Sequence, residues 1–303
     1  MDATLDNNVT YCFGIGAQKA GTTWLASYLR KHPDVHVPAV KELHYFDAHF
    51  DPKVRRAYNL RTAKLSEVKS AGEAERLQAL LDMIDAPGED HAVYRRLMTT
   101  GRGNAKIVAD ITPSYALLSE DNLAQINRDF PNSKFIYIMR DPIDRTRSQL
   151  KMLYKKRPAE QSEQSYVDFV DGFVNGDAHQ GIVARTRYAQ VLKKFEAAIP
   201  EEQRLVLFYE ELFSDEGVGK ICDFLGIPFM RGDYGTRVHG GLTPRADEAD
   251  ARLVEALAGR LAPIYTQMDK RYGDALPETW KAALNTVQQS KRRKASLLSQ
   301  QER

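Results

Sequence analysis

The chain has 303 residues, enough for one large domain or two small ones around a substantial core. Its composition is ordinary for a globular protein, 43% hydrophobic and 28% charged, and a net charge of +2 supplies no global field of the kind used to bind nucleic acid or a membrane surface. The polar, acidic start from Met1 to Thr10 does not read as a signal peptide, and no apolar run approaches the roughly 20 residues that span a bilayer. A soluble, reducing, cytoplasmic setting is therefore expected.

In chain order, Tyr11–Ile15 is a short apolar run and reads as a buried strand. It leads into Gly14-Ile15-Gly16-Ala17-Gln18-Lys19-Ala20-Gly21-Thr22-Thr23-Trp24. From Thr22 to Lys31 a helix is expected, with Trp24, Leu25, Tyr28 and Leu29 on one face. Strand, glycine-bearing loop and helix is the geometry that turns backbone N–H groups toward a phosphate. An anion site at Gln18–Trp24 is thus the first functional expectation. Val35–Val37 is a short extended piece interrupted by Pro38, and Lys41–Asp47 mixes charge with aromatic rings. Asp51–Gly101 is polar and helical in pattern, with a break at Ala86-Pro87-Gly88, and reads as an insertion.

Lys106–Asp110 resumes as a strand ending in a carboxylate, and Asp121–Phe130 reads as a helix stopped by Pro131. Lys134–Met139 is a further strand. Asp141 and Pro142 then suit the N-cap and first position of a helix. Arg187–Ala198 and Gly217–Leu225 read as helices and Arg204–Tyr209 as a strand; Asp247–Tyr272 reads as helical pattern divided at Pro263. Arg237–Arg245, with Gly240, Gly241 and Pro244, has the composition of a mobile loop. Lys281–Arg303 carries Lys291-Arg292-Arg293-Lys294 and reads as a solvated tail or a patch for an acidic partner. Continuous apolar strands alternating with helices argue for an α/β fold, a P-loop-like parallel sheet covered by helices on both faces. One domain over 8–275, with the insertion at about 51–101 and a C-terminal helical or flexible basic tail over 276–303, is the expected organisation. Cys12 and Cys222 sit in apolar runs as buried, reduced thiols, and no cysteine–histidine spacing suggests a metal site.

A nucleoside triphosphate loop would read Gly-x-x-x-x-Gly-Lys-Ser/Thr. Here Gly16 and Gly21 keep the spacing, but Thr22 follows Gly21 and the lysine lies inside the loop at Lys19. A related loop with a different ligand follows. The second signal is the strand Phe135–Met139 ending in Arg140, with Ser148 two turns into the next helix. In open α/β sheets ligands gather at the carboxyl ends of strands, and a guanidinium with a hydroxyl is a sensible clamp for a second phosphate.

With both motifs in view the chain resembles the sulfotransferases that use 3′-phosphoadenosine-5′-phosphosulfate, over about residues 11–275. The resemblance rests on Gln18-Lys19-Ala20-Gly21-Thr22-Thr23-Trp24 for the 5′-phosphosulfate and on Arg140-Asp141-Pro142 with Ser148 for the 3′-phosphate. Phe208-Tyr209-Glu210-Glu211-Leu212 and Phe224-Leu225-Gly226-Ile227-Pro228 add to it. Lys41-Glu42-Leu43-His44-Tyr45-Phe46-Asp47 is similar to the glycan-type branch, related to heparan sulfate sulfotransferases and many bacterial members. The resemblance implies Glu42 as catalytic base, Lys19 as the cation at the leaving oxygen, and adenosine 3′,5′-bisphosphate as product. Asp110-Ile111-Thr112-Pro113-Ser114-Tyr115 resembles a segment of the same branch, with Ile111 where that branch has lysine. His44 is the alternative base, two residues from Glu42 and on its face if this piece is extended. Tyr45, Asp110 and Tyr115 are candidates to line the acceptor pocket; Tyr188 and Arg237 are further nucleotide contacts implied by the likeness. A small-molecule, lipid or carbohydrate hydroxyl, or an amine, is the expected acceptor. A P-loop kinase and a non-catalytic nucleotide-binding module are the competing readings.

Overall fold

The computed structural model describes residues 8–57, 82, 91–156, 165–175, 180–235 and 246–285. Five parallel strands form one sheet: β1 (Thr10–Gly16), β2 (Val35–His36), β3 (Ile107–Ile111), β4 (Ser133–Met139) and β5 (Arg204–Phe208), in the spatial order β2-β3-β1-β4-β5. β1 lies at the centre, with Cys12 beside Ala109 on one side and Lys134 on the other. All five residues of β3 are buried, as are Tyr11–Gly16 of β1 and Phe135–Met139 of β4. Burial of successive residues, which point to opposite faces, requires cover on both sides of the sheet. Gly14 permits the close approach of β1 to β3: a Cβ there would stand 2.6 Å from Ile111 Cδ1.

The helices are α1 (Thr22–Lys31), α2 (Tyr45–Phe50), α3 (Ala92–Thr99), α4 (Glu120–Asp129), α5 (Pro142–Lys155), α6 (Tyr166–Asn175), α7 (Gln180–Ala184), α8 (Tyr188–Ala198), α9 (Asp215–Leu225) and α10 (Ala246–Tyr272). Their ends follow local chemistry. The Ser119 hydroxyl accepts from the Asn122 amide at the start of α4, and Ser214 does the same for Gly217 at the start of α9. Asp141 caps α5 by accepting from the Asp144 amide, with Pro142 next, as the sequence leads one to expect. Gly226 closes α9 at φ 71.

Three elements differ from expectation. Tyr45–Phe50 is helical, because the aromatic residues of this charged segment pack inward and Asp47 falls in the first turn. Pro263 does not divide α10, which runs unbroken from Ala246 to Tyr272. Its buried face of Leu253, Leu257, Leu261, Tyr265 and Met268 outweighs the lost backbone bond. The core also extends past residue 275, since Leu276, Trp280 and Leu284 are buried and Trp280 packs on Tyr188, Phe208 and Tyr265. The expected insertion falls largely outside the described residues; within them 52–57 is helical and α3 covers Tyr94 and Met98. The tetrabasic run 291–294 and the loop containing Arg237 also lie outside them. Both cysteines are free and buried, and burial pushes the Cys12 thiol up to about 12. No helix among the described residues is long and apolar enough to cross a membrane.

Candidate active site

The carboxyl ends of β1, β3 and β4 meet where the strand order reverses, and the candidate residues collect there. The β1–α1 turn supplies the first part. Gly21 stands at the N-cap of α1 at φ 85, with no side chain capping the helix and no acidic residue in its first turn. The first intrahelical bond runs from the Leu25 amide to the Gly21 carbonyl, which leaves the amides of Thr22, Thr23 and Trp24 ahead of it. An uncapped helix start presents positive partial charge. Gly21 has little room for a side chain, since a Cβ would lie 2.5 Å from Leu212 and 3.2 Å from Tyr209. Ala20 is fully buried, Thr22 is buried, and Thr23 is exposed. Trp24 is buried, stacked on Tyr28, and donates from its indole to the Asp233 carbonyl at 2.9 Å.

Cations converge on this turn. Arg140, at the end of β4, donates from Nη1 to the Lys19 carbonyl at 3.2 Å, and its guanidinium lies 4.4 Å from the centre of the Tyr209 ring. The two anion-binding motifs are therefore neighbours in space although 121 residues apart in sequence. Burial depresses the pKa of the Lys19 ammonium, and the charges of Arg140, Lys156 and Lys41 push it the same way, while Glu42 opposes them. Among the described residues, Arg140 Nε and Gln18 Oε1 are buried without hydrogen-bond partners. Uncompensated cations, orphaned polar atoms and an uncapped helix start together fit a multiply charged anion. Ser148 is half-buried on α5, two turns beyond the Asp141 cap.

The second part is the segment before α2. Glu42 and His44 are not extended; both adopt left-handed backbone, at φ 61 and φ 54. They share the site through side-chain reach rather than through strand alternation. Lys41 donates to Glu42 Oε1 at 2.7 Å, and His44 Nε2 lies 3.9 Å from Glu42 Oε2. His44 Nδ1 is 2.7 Å from Asp47 Oδ2, which also accepts from the Ser114 hydroxyl at 2.6 Å. Burial works against the charged imidazole, but the hydrogen bond and charge of Asp47, with Glu42 and Asp110 behind it, raise its pKa overall. Lys19, Glu42 and His44 are three of the four non-glycine residues with positive φ among the described residues. Strained backbone of this kind collects at functional sites.

Four further candidate residues are held by hydrogen bonds within the fold. Asp110 is buried and engaged by three hydroxyls: Thr112 on Oδ1 at 2.6 Å, and Tyr94 and Tyr115 on Oδ2 at 3.0 and 2.8 Å. Burial raises its pKa against those three bonds. The Tyr115 hydroxyl in turn accepts from the Tyr45 amide at 3.1 Å, at the start of α2. Tyr45 is buried, stacked on Tyr94, with its hydroxyl on His91. Asp110, Tyr115 and Tyr45 are therefore joined by hydrogen bonds to the start of α2, next to the Glu42–His44 segment. Tyr188 is fully buried and donates to the Arg140 carbonyl at 2.6 Å, so it helps to position Arg140. Asp47, Ser114, Lys156 and Tyr209 join the site without having been singled out for it. An acid at i+3 from His44, in the first turn of a helix, was the available signal for Asp47.

A central parallel sheet with a glycine-bearing turn between its first strand and an uncapped helix defines a P-loop-like α/β protein. Comparison with known proteins makes the class specific. Residues 12–231 match the sulfotransferase family. Human heparan sulfate glucosamine 3-O-sulfotransferase 6 is 24% identical over 277 residues, covering 85% of this chain and 69% of that protein. Mouse heparan sulfate glucosamine 3-O-sulfotransferase 3B1 is 28% identical over 218 residues, 70% of this chain and 45% of the relative, so the chain spans about half the length of such relatives. A sulfotransferase from Alicyclobacillus acidocaldarius shares the fold, with TM-score 0.57 and 21% identity over 89% of this chain and 98% of that one. The chain belongs to the sulfotransferase family and is an enzyme of sulfuryl transfer.

Proposed function

We propose that the donor is 3′-phosphoadenosine-5′-phosphosulfate, with the Gln18–Trp24 turn on its 5′ end and Arg140 with Ser148 on its 3′-phosphate. The observation that carries this reading is the contact of Arg140 with the Lys19 backbone, which brings a guanidinium and an ammonium to one uncapped helix start with no acid in its first turn. When bound, the donor supplies the sulfuryl group and leaves as adenosine 3′,5′-bisphosphate. The amides of Thr22, Thr23 and Trp24 and the ammonium of Lys19 stabilise negative charge growing on the leaving oxygen. The depressed pKa of Lys19 makes it a readier proton donor to that oxygen.

Glu42 takes the proton of the attacking hydroxyl. Asp47 favours the protonated form of His44, the form that has no lone pair left to take a proton, while the Glu42 carboxylate stands between Lys41 and His44. The acceptor is a hydroxyl of a carbohydrate or small molecule; the named relatives sulfate heparan sulfate glucosamine. The test has two arms. Adenosine 3′,5′-bisphosphate raises the melting midpoint strongly and ATP with magnesium weakly; the reverse order refutes the donor and favours a kinase. Labelled donor with a panel of sugars, phenols, aliphatic alcohols and amines then yields a sulfated product, and Glu42→Gln abolishes transfer while bisphosphate binding persists. Bisphosphate binding without product on any acceptor would mark a binding module.

A further inference from the structure

The start of α5 is closed where the start of α1 is open. Pro142 has no amide to offer, and the next three amides are all taken: Ile143 by the Tyr265 hydroxyl at 3.4 Å, Asp144 by Asp141 Oδ1 at 2.9 Å, and Arg145 by the Asp141 carbonyl at 2.8 Å. The first-turn donors of α5 are thus spent within the protein, and the turn acts as a frame. The frame is built from far away in the chain. Asp141 is buried, and its second oxygen accepts from the fully buried Tyr265 hydroxyl at 2.6 Å, so one hydroxyl of α10 serves both the cap and the first turn of α5. Burial lifts the Asp141 carboxyl to about 6, and the bonds from Tyr265 and the Asp144 amide act against that rise.

Arg140 immediately precedes this frame. Its carbonyl is held by the Tyr188 hydroxyl at 2.6 Å, while its guanidinium reaches the Lys19 carbonyl. Tyr188 and Tyr265 share a neighbour: the centre of the fully buried Trp280 ring lies 5.7 Å from one ring and 6.2 Å from the other, and 5.5 Å from Phe208 at the end of β5. A close-packed ring against both tyrosines limits how far either hydroxyl can withdraw. Tyr265 and Trp280 lie beyond residues 12–231, the span that matches the sulfotransferase family. A guanidinium recognises a phosphate through directed N–H···O bonds, so a small displacement of its backbone weakens them. We propose that Tyr265 is a positioning residue for the donor: with Trp280 against it, it locks the Arg140–Asp141 corner and so aims the Arg140 guanidinium at the 3′-phosphate. This rests on the donor reading above and adds to it a support from the C-terminal part of the chain.

The experiment uses the full chain and adenosine 3′,5′-bisphosphate, with affinity read by calorimetry well below each variant's melting midpoint. Tyr265→Phe keeps the ring and removes the hydroxyl; the bisphosphate then binds about 3- to 10-fold more weakly, a fraction of one charge-assisted hydrogen bond passed to the neighbouring residue. Leu253→Ala is the comparison. It opens a cavity on the same buried helix face, about 18 Å along the axis from Tyr265, and lowers stability while affinity stays at the wild-type value. A cycle with Asp141→Asn separates positioning from general softening: with the carboxylate gone, the further loss on removing the Tyr265 hydroxyl shrinks to less than about twofold. Trp280→Phe, which keeps an aromatic ring but a smaller one, weakens binding in the same direction and carries the test if Tyr265→Phe does not fold. Wild-type affinity in Tyr265→Phe, or in Trp280→Phe where that variant stands in, overturns the positioning role. So does an equal loss in Leu253→Ala, or full additivity with Asp141→Asn. Failure of the wild type to bind the bisphosphate would instead refute the donor reading.

Discussion

Replacing Asp47 by Asn tests how the base segment is held, without needing an acceptor. The carboxylate has two partners on one oxygen, the Ser114 hydroxyl at 2.6 Å and His44 Nδ1 at 2.7 Å. An Asn oxygen can still accept from Ser114. The same oxygen still accepts from His44 Nδ1–H but carries no charge to favour the imidazolium, and the amide nitrogen takes the place of the buried Oδ1. The charge-assisted bond is lost, worth about 1.5–3 kcal/mol when the ring is charged. The side chains of His44 and Asp47 are 27% and 13% exposed, which places the expectation at the lower end of that range. The sign follows from linkage. His44 has a raised pKa in the folded protein, so its contribution is fully present below the unfolded histidine value near 6.5 and is lost as pH rises through the folded pKa. Wild type therefore loses stability from this group between about pH 6 and the folded pKa, and Asp47→Asn flattens that slope. Two measurements decide: denaturant unfolding across this range, and the His44 titration with its tautomer by nitrogen NMR. An unchanged or higher His44 pKa in Asp47→Asn would refute the reasoning.

Three further perturbations separate the parts of the site. Arg140→Lys keeps a charge but loses the guanidinium stacked on Tyr209 and its bond to the Lys19 carbonyl; bisphosphate affinity measured by calorimetry falls about tenfold or more, and an unchanged affinity would remove Arg140 from the clamp. Gly21→Ala places a Cβ 2.5 Å from Leu212 at φ 85, so both thermal stability and bisphosphate binding drop, with a cost of about 1–3 kcal/mol. Glu42→Gly relieves a left-handed backbone at φ 61 and raises unfolding stability by up to about 1 kcal/mol while ending transfer; a loss of stability would show that the Lys41 pair matters more than the strain.

The sheet was legible because β1 and β4 are continuous apolar runs, a pattern that buried parallel strands impose directly on sequence. The cap at Asp141 and the helix from Thr22 to Lys31 were equally plain, since each depends on neighbours within a turn. Legibility failed where long-range contacts decide. Nothing local in Tyr45 or Tyr115 announces that their ring hydroxyls reach His91 and Asp110. Pro263 reads as a break, and only the packing of Tyr265, whose hydroxyl reaches Asp141 at 2.6 Å, explains a helix that continues through it.

Those long-range contacts also explain how strained residues persist. Left-handed backbone at Lys19, Glu42 and His44 costs energy at each position and must be over-determined by its surroundings. For Lys19 the surroundings are Arg140 on its carbonyl, itself held through the Tyr188 hydroxyl. For Glu42 and His44 they are a buried chain running from Asp110 through the Tyr115 hydroxyl to the Tyr45 amide, and a second one from Ser114 through Asp47 to the imidazole. Asp110, whose pKa burial raises, is thus the buried foot of the first of these chains. Its exchange for Asn would leave one of three hydroxyls facing a donor instead of an acceptor. The damage would then appear first in the orientation of the Glu42–His44 segment, and only through it in sulfuryl transfer. Donor binding, built on a separate set of supports around Arg140, would be spared.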